Sequence, residues 1–374
     1  MSSSLLDYEK FKSCFNVVYQ RHELLRSIVR FYDNNGFFEE SNKSLVIEEF
    51  DLRGQSLDNI DVIIEDMYNN INSDVFDPEN NPLFKVYLLR ISKKQIRVFF
   101  SIYHLISDAT SLEIIWKSVC SEYYNKFITG QSKFFQYLEK ENMYFNSQNF
   151  KLDKEYFTNI SNQCSLIETN ENIIFSSEEI EVDLTKYNLL LNECAKKIGC
   201  TVYAILLTSF IFVMQEIFQN KNICIGLPIT MRTDSFFENM IGPFNTRLPF
   251  FYSYNDKISF LDNCNYCFAA LKELRSHVFF PHNELTKIKP KWYSIVFDME
   301  SLIEIVDSII IQQLPIPDNN VMSHHVFARV HKSKDSMKLN FRCRLDLVSQ
   351  NKRSDIVEKY ISVMHVFLED YLGR

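Results

Sequence analysis

The chain has 374 residues, 46% hydrophobic and 24% charged, with a formal net charge of -8, a balance that fits a globular protein with a sizeable core and excludes a disordered chain. Only 7 residues are Gly, and no GxGxxG or GxxxxGK[ST] string occurs, so glycine-rich loops that cradle a phosphate are not indicated. The acidic balance points away from nucleic acid, and the densest basic run is the short KIKPK of Lys287–Lys291.

In chain order, MSSSLLDYEK carries no charged-then-apolar leader, and residues 7–20 have helical spacing of apolar side chains. They run into RHELLRSIVRFYD, where a strand is expected to begin. Leu57–Ile71 reads as a helix, followed by the turn-rich FDPENNP of Phe76–Pro82. LFKVYLLRIS and QIRVFFSIYHLIS, joined at Lys93 and Lys94, read as neighbouring strands. Residues 110–127 read as an amphipathic helix with Thr110 or Ser111 near its cap. The polar stretch 146–176 is the expected boundary between two α+β lobes, 1–165 and 166–374. Beyond it come a strand near 174–183, a helix near 184–198, a buried helix 201–218 and a strand 222–229. A helix near 258–276, strands 293–300, 325–331 and 337–345, and a helix 353–371 complete the order. The apolar run Val202–Met214 is too short to span a bilayer.

Nine Cys are scattered without regular spacing, which suits a reducing cytoplasm better than a disulfide framework. Cys264 and Cys267 form a CxxC inside a helical pattern. A zinc site wants a second pair of ligands, none is placed nearby, and no metal is expected.

The most informative string is SIYHLISDATSL, Ser101–Leu112. A strand ending at His104 and turning sharply would bring His104 and Asp108 near one another. An imidazole titrating near neutrality can take a proton from an amine or a hydroxyl. On spacing alone a second reading stays open: a strand-end His bonded to backbone, with Asp108 capping the next helix.

The wider neighbourhood resembles the condensation domains of nonribosomal peptide synthetases. That family shows an aspartate, a Pro-Leu pair, two strands, the HHxxxDG motif, then Ser and a helix ending in Tyr. The counterparts here are Asp77, Pro82-Leu83, the strand pair, Tyr103-His104 with Asp108-Ala109, Ser111, and Tyr123 or Tyr124. RHELLR (Arg21–Arg26) is similar to the family's RHxxLR. IGLPITMRTDSFFENMIGPFNTRLPF is similar to GxPxxGRxxxxxxxxIGxFxNTLPLR, and HVFFPHNEL to HxxxPFExL. RCRLDL near Asp346 resembles a C-terminal family pattern. The matches keep the family's order over roughly residues 15–350.

The resemblance implies an α+β fold of two chloramphenicol-acetyltransferase-like lobes in a V with a central tunnel. It implies that His104 promotes attack of an acceptor amine on a donor thioester, and that Asp108 is structural, paired with Arg232 from the C-terminal lobe. Phosphopantetheine would arrive on a carrier-protein partner, with no cofactor bound by the chain itself. The expected enzyme is a free-standing monomer that takes an acyl or peptidyl carrier protein in trans and a small amine or aminoacyl acceptor, with no nucleic acid or membrane partner. Alternatives are a coenzyme A thioester donor, an alcohol acceptor, or a silent scaffold. Lys287, Lys289 and Lys291 are a candidate docking patch for an acidic carrier.

Four departures from the pattern stand out. Tyr103 replaces the first motif His, and Ala109 replaces the motif Gly. A gapless alignment puts Thr246 at the family's Asn, with Asn245 one residue early. The segment before RHxxLR is about half the usual length. Tyr103, Ala109, Asn245 and Thr246 are therefore candidate substrate-binding positions. Arg21 and Arg26 are expected at a structural corner, His277 and Trp292 in packing, and His282, His324, His325 and His331 at the surface or in loops.

Overall fold

A computed structural model describes residues 7–33, 35–73, 75–126, 133–167, 176–301, 324–333 and 335–372. Positions 168–175 of the expected polar boundary, and the first two of the strand expected near 174–183, lie outside them. The chain divides into two compact units. Unit 1 runs to Met143 and takes in Arg232–Phe244. Unit 2 holds Tyr144–Met231 and most of the chain from Asn245 onward. The sequence placed the division at 165/166 and assigned Arg232 to the second half. By compactness the Arg232–Phe244 segment instead counts with unit 1.

In unit 1, α1 (Tyr8–Arg21) is capped by Asp7, whose carboxylate accepts from the Lys10 amide at 3.0 Å. It buries Tyr8, Phe11, Cys14, Phe15, Val18 and Tyr19, one stripe of a 3.6-residue period. After a short 3-10 turn at Glu23–Arg26, β1 (Ser27–Tyr32) and β2 (Asn35–Glu40) pair antiparallel. The strand β3 (Val46–Asp51) leads through the helix α2 (Leu57–Ser73) to β4 (Phe84–Arg90) and β5 (Ile96–Ile102). These form a three-stranded sheet of order β3-β4-β5, the first pair parallel and the second antiparallel. α3 (Ala109–Tyr123) packs on α1, with Trp116 edge-on to Phe11 at 6.2 Å. α4 (Phe134–Phe145) closes the segment.

The RHELLR string makes the corner expected of it. Arg21 pairs with Glu122 of α3, and Arg26 bonds the Gln20 carbonyl and Glu40.

Unit 2 begins with α5 (Gln148–Ser161), β6 (Ser177–Asp183), α6 (Asn188–Ile198) and α7 (Val202–Phe218). β7 (Cys224–Thr230), β8 (Asn245–Phe251), α8 (Phe260–Ser276) and α9 (His282–Ile288) follow, then β9 (Ile295–Ser301), β10 (Val326–Lys332), β11 (Met337–Arg344) and α10 (Gln350–Leu372). The mixed six-stranded sheet has the order β6-β11-β10-β9-β7-β8. The pairs β10–β9 and β9–β7 are parallel, and the others antiparallel. The apolar α7 lies against this sheet, Phe210 stacking toward Phe297 at 5.0 Å. Its two hydroxyls are absorbed locally: Thr208 donates to the Ala204 carbonyl and Ser209 to that of Ile205. Cys264 and Cys267 are fully buried on α8, where burial pushes both thiols up, Cys267 to about 12. They are core side chains, packed in the same cluster as α7. No single helix among the described residues is long and apolar enough to cross a membrane.

Candidate active site

The loop between β5 and α3 carries the string singled out in the sequence. The strand ends as the Tyr103 amide bonds the Leu83 carbonyl at 3.0 Å. A 3-10 turn, His104–Ile106, follows. Tyr103, His104 and Leu105 are exposed, whereas Ile106, Ser107 and Asp108 are buried. Ile106 therefore pins the turn from beneath. Ser107 ties it from above, its hydroxyl 3.2 Å from the Tyr103 carbonyl.

The His104 ring has a defined orientation. Its Nδ1 lies 2.7 Å from the Ser107 carbonyl oxygen. A carbonyl only accepts, so Nδ1 carries the proton and donates. In the neutral ring, Nε2 is then the nitrogen with the lone pair. The side chain is presented, not enclosed, by its own loop.

Asp108 is held in the opposite manner. It is the N-cap of α3, and its Oδ1 accepts from the Ser111 amide at 2.7 Å. The cap is Asp108, with Thr110 and Ser111 in the turn just after it, because a side chain at the cap reaches the amide three residues on. Arg232 grips the same carboxylate in a two-pronged pair, Nη2 to Oδ1 at 2.9 Å and Nε to Oδ2 at 3.1 Å. The Asp108 side chain is fully shielded in this pair and that of Arg232 nearly so. The remaining guanidinium nitrogen, Nη1, donates to the carbonyls of Phe237 and Met240, both at 2.8 Å. Its plane lies over the Phe244 ring, 4.8 Å from the centroid.

Ser111 is the knot between these parts. Its Oγ lies 2.7 Å from Asp108 Oδ1, and it accepts from the Gly242 amide at 3.0 Å and from Arg232 Nη2 at 3.1 Å. A Cβ on Gly242 would sit 2.5 Å from the Phe244 ring, so glycine is required there by close approach. All these groups belong to unit 1. The serine's part, and the two carbonyls that Arg232 gathers, were not legible from the motif spacing. The only sequence signal is the Ser two residues into the helix.

His104 and Asp108 do not share a hydrogen bond: one takes the Ser107 carbonyl, the other Arg232 and Ser111. Both features of the plain structural reading of the spacing are present, a backbone-bonded His and a helix-capping Asp. What that reading lacked is Arg232, 124 residues from Asp108. Among the other candidates, Tyr103 is exposed beside Phe76, ring centroids 6.0 Å apart, and Ala109 is exposed at the first turn of α3. Asn245 and Thr246 open β8 in unit 2, Asn245 exposed and Thr246 half-buried.

Residues 2–352 match the family model described as the condensation domain. The chain belongs to the condensation-domain family. Bacitracin synthase 3 of Bacillus licheniformis is 24% identical over 256 residues, covering 64% of this chain and 4% of that protein. The chain thus spans only a small part of the length of such curated relatives. Among solved structures, VibH, titled an NRPS condensation enzyme, superposes with a TM-score of 0.82 at 14% identity, covering 98% of this chain and 89% of that one. An epimerization domain from tyrocidine synthetase B reaches 0.81 at 13% identity, covering all of this chain and 92% of that one. The fold is therefore that of condensation domains, α+β with mixed sheets and flanking helices. It also serves a domain titled for a different reaction.

Several expectations about lesser residues are corrected. His325 lies in the loop before β10 but not at the surface: it is 2% exposed, and its amide bonds the Ser294 carbonyl. His331 lies within β10, not in a loop. His277 does more than pack. Its Nδ1 lies 2.7 Å from Asp153 Oδ1, and its ring stacks on Tyr156 at 3.8 Å. Of the KIKPK lysines, Lys287 is exposed and pairs with Glu284, Lys289 bonds the Cys164 carbonyl at 2.7 Å, and Lys291 is exposed. Trp292 is core as expected, its Nε1 donating to the Leu285 carbonyl.

Proposed function

We propose that this chain transfers an acyl or peptidyl group from a phosphopantetheinyl carrier-protein thioester to an amine, forming an amide. Family membership supports the class of partner. The observation that carries the chemistry is the His104 tautomer: donation from Nδ1 to the Ser107 carbonyl leaves Nε2 as the base on an exposed, anchored turn.

The thioester brings its own activation, so the protein has to orient the nucleophile and manage one proton. The amine nitrogen attacks the thioester carbonyl carbon, and its proton passes to His104 Nε2. The tetrahedral species collapses with cleavage of the C–S bond, and the imidazolium returns the proton to the departing phosphopantetheine thiolate. The products are an amide and a free carrier thiol. In this scheme Asp108, Arg232 and Ser111 are positioning residues that fix the loop.

The test is intact-mass analysis of acylated carrier proteins incubated with the chain and a panel of amines. Carrier thiol released together with a new amide supports the proposal. Donors that stay loaded, or are released only to water at the rate seen without the chain, refute it.

A further inference from the structure

A second group of polar side chains, all in unit 2, lies apart from the loop just described. The Tyr293 ring packs so closely on Gly226 of β7 that no Cβ fits there. Arg247 of β8 stands opposite Pro228, two positions along β7 from Gly226, and its guanidinium donates to the Tyr293 hydroxyl. The His324 ring lies parallel to that of Tyr293, planes 10° apart and centroids at 6.0 Å. Arg247, Lys291 and His325 all bear on His324 with the same sign, and together with burial they push its imidazole down to about 4.

His325 continues the cluster inward. Among the described residues neither of its ring nitrogens has a hydrogen-bond partner, and the hydroxyl of Ser294 beside it is buried without one as well. The charges of Lys291, Arg344 and Asp346 also bear on His325. That single carboxylate is already committed, gripped by Arg344 at 3.0 and 2.5 Å. Among the described residues neither Arg247 nor Lys291 has a carboxylate partner. Among the described residues, cationic groups thus converge from β8, the β9 approach and the β10 approach without matching negative charge, next to buried polar atoms that ordinarily find partners.

We propose that Arg247, Lys291, Tyr293, His324 and His325 form a binding site for a compact oxyanion, the chemistry shared by phosphate and carboxylate groups. Arg247 supplies a charge-assisted donor, Tyr293 holds it in place, and Lys291 adds charge at the exposed side. The anion would favour protonated imidazoles, so binding takes up protons and tightens as pH falls. The site is independent of the acyl-transfer reading.

The probe is sulfate, whose charge is constant between pH 7 and 5, titrated against chloride at matched ionic strength. Histidine ring resonances are followed by NMR and assigned with His324→Gln. The expected result is a saturable shift of the His324 and His325 signals, weakened about tenfold in Arg247→Gln and several-fold in the exposed-site variant Lys291→Gln, with tighter binding at pH 5 than at pH 7. An acetate arm separates the sources: saturation by acetate admits carboxylates, and saturation by sulfate alone restricts the site to phosphate-like groups. Shifts that merely track ionic strength, or that are unchanged in Lys291→Gln and in whichever Arg247 variant folds, would overturn the proposal.

Discussion

The loop between β5 and α3 is held at one end by charge and left open at the other. Asp108 is buried under four contacts from Arg232 and Ser111, while His104, four residues earlier, is exposed and its ring is bonded to the Ser107 carbonyl. A carboxylate taken out of water must be fully paired or it is costly. An imidazole that exchanges protons has to reach its substrate. The difference teaches that the two residues of one motif do separate jobs: Asp108 makes the loop, and His104 is what the loop presents.

Removing the buried end should cost most. Asp108→Ala leaves the buried Arg232 guanidinium without its counter-charge, and urea denaturation should show a loss of about 3–5 kcal/mol. A loss under about 1 kcal/mol would mean the pair is no anchor.

The same contrast separates His104 from His22, which is buried with Nε2 unbonded. Burial first, then Arg21 and Arg26, hold the His22 imidazole down at about 4. The unfolded chain takes up that proton near 6.5 and the folded chain only near 4. Stability from this group is therefore full above 6.5 and is lost as pH falls toward 4, by on the order of 3 kcal/mol. His22→Gln should flatten the pH dependence of stability across that window.

Ser111→Ala should cost about 1–3 kcal/mol, since it strips a partner from the Gly242 amide and from Arg232. His104→Ala should change stability by less than about 0.5 kcal/mol. A larger loss would make His104 part of the scaffold and erase the contrast.

How far these features could be read from sequence depended on their range. α1 and α7 declare themselves by apolar spacing, and β4 and β5 by their dense apolar runs. α5 was hidden because its stretch looks like a polar linker. It buries Asp153, Phe157 and Ile160 on one narrow stripe, and one of those three is a carboxylate. β8 was missed because Arg247 and Pro249 interrupt any strand-like alternation, although the strand is fully paired with β7. In the site, His104 and Asp108 were visible as a motif. Arg232 came only through family resemblance, because nothing local connects residues so far apart. The depth of His325 was not legible at all: it follows from a long-range contact with Ser294, just ahead of the paired strands β9 and β10.

The most direct test of the central claim is single-turnover transfer from an acyl carrier protein to an amine by wild type and His104→Ala, with both shown to be equally folded. The account predicts normal stability and a rate lower by about 10²–10⁴-fold in the variant. A variant that transfers within a few-fold of the wild-type rate would contradict it.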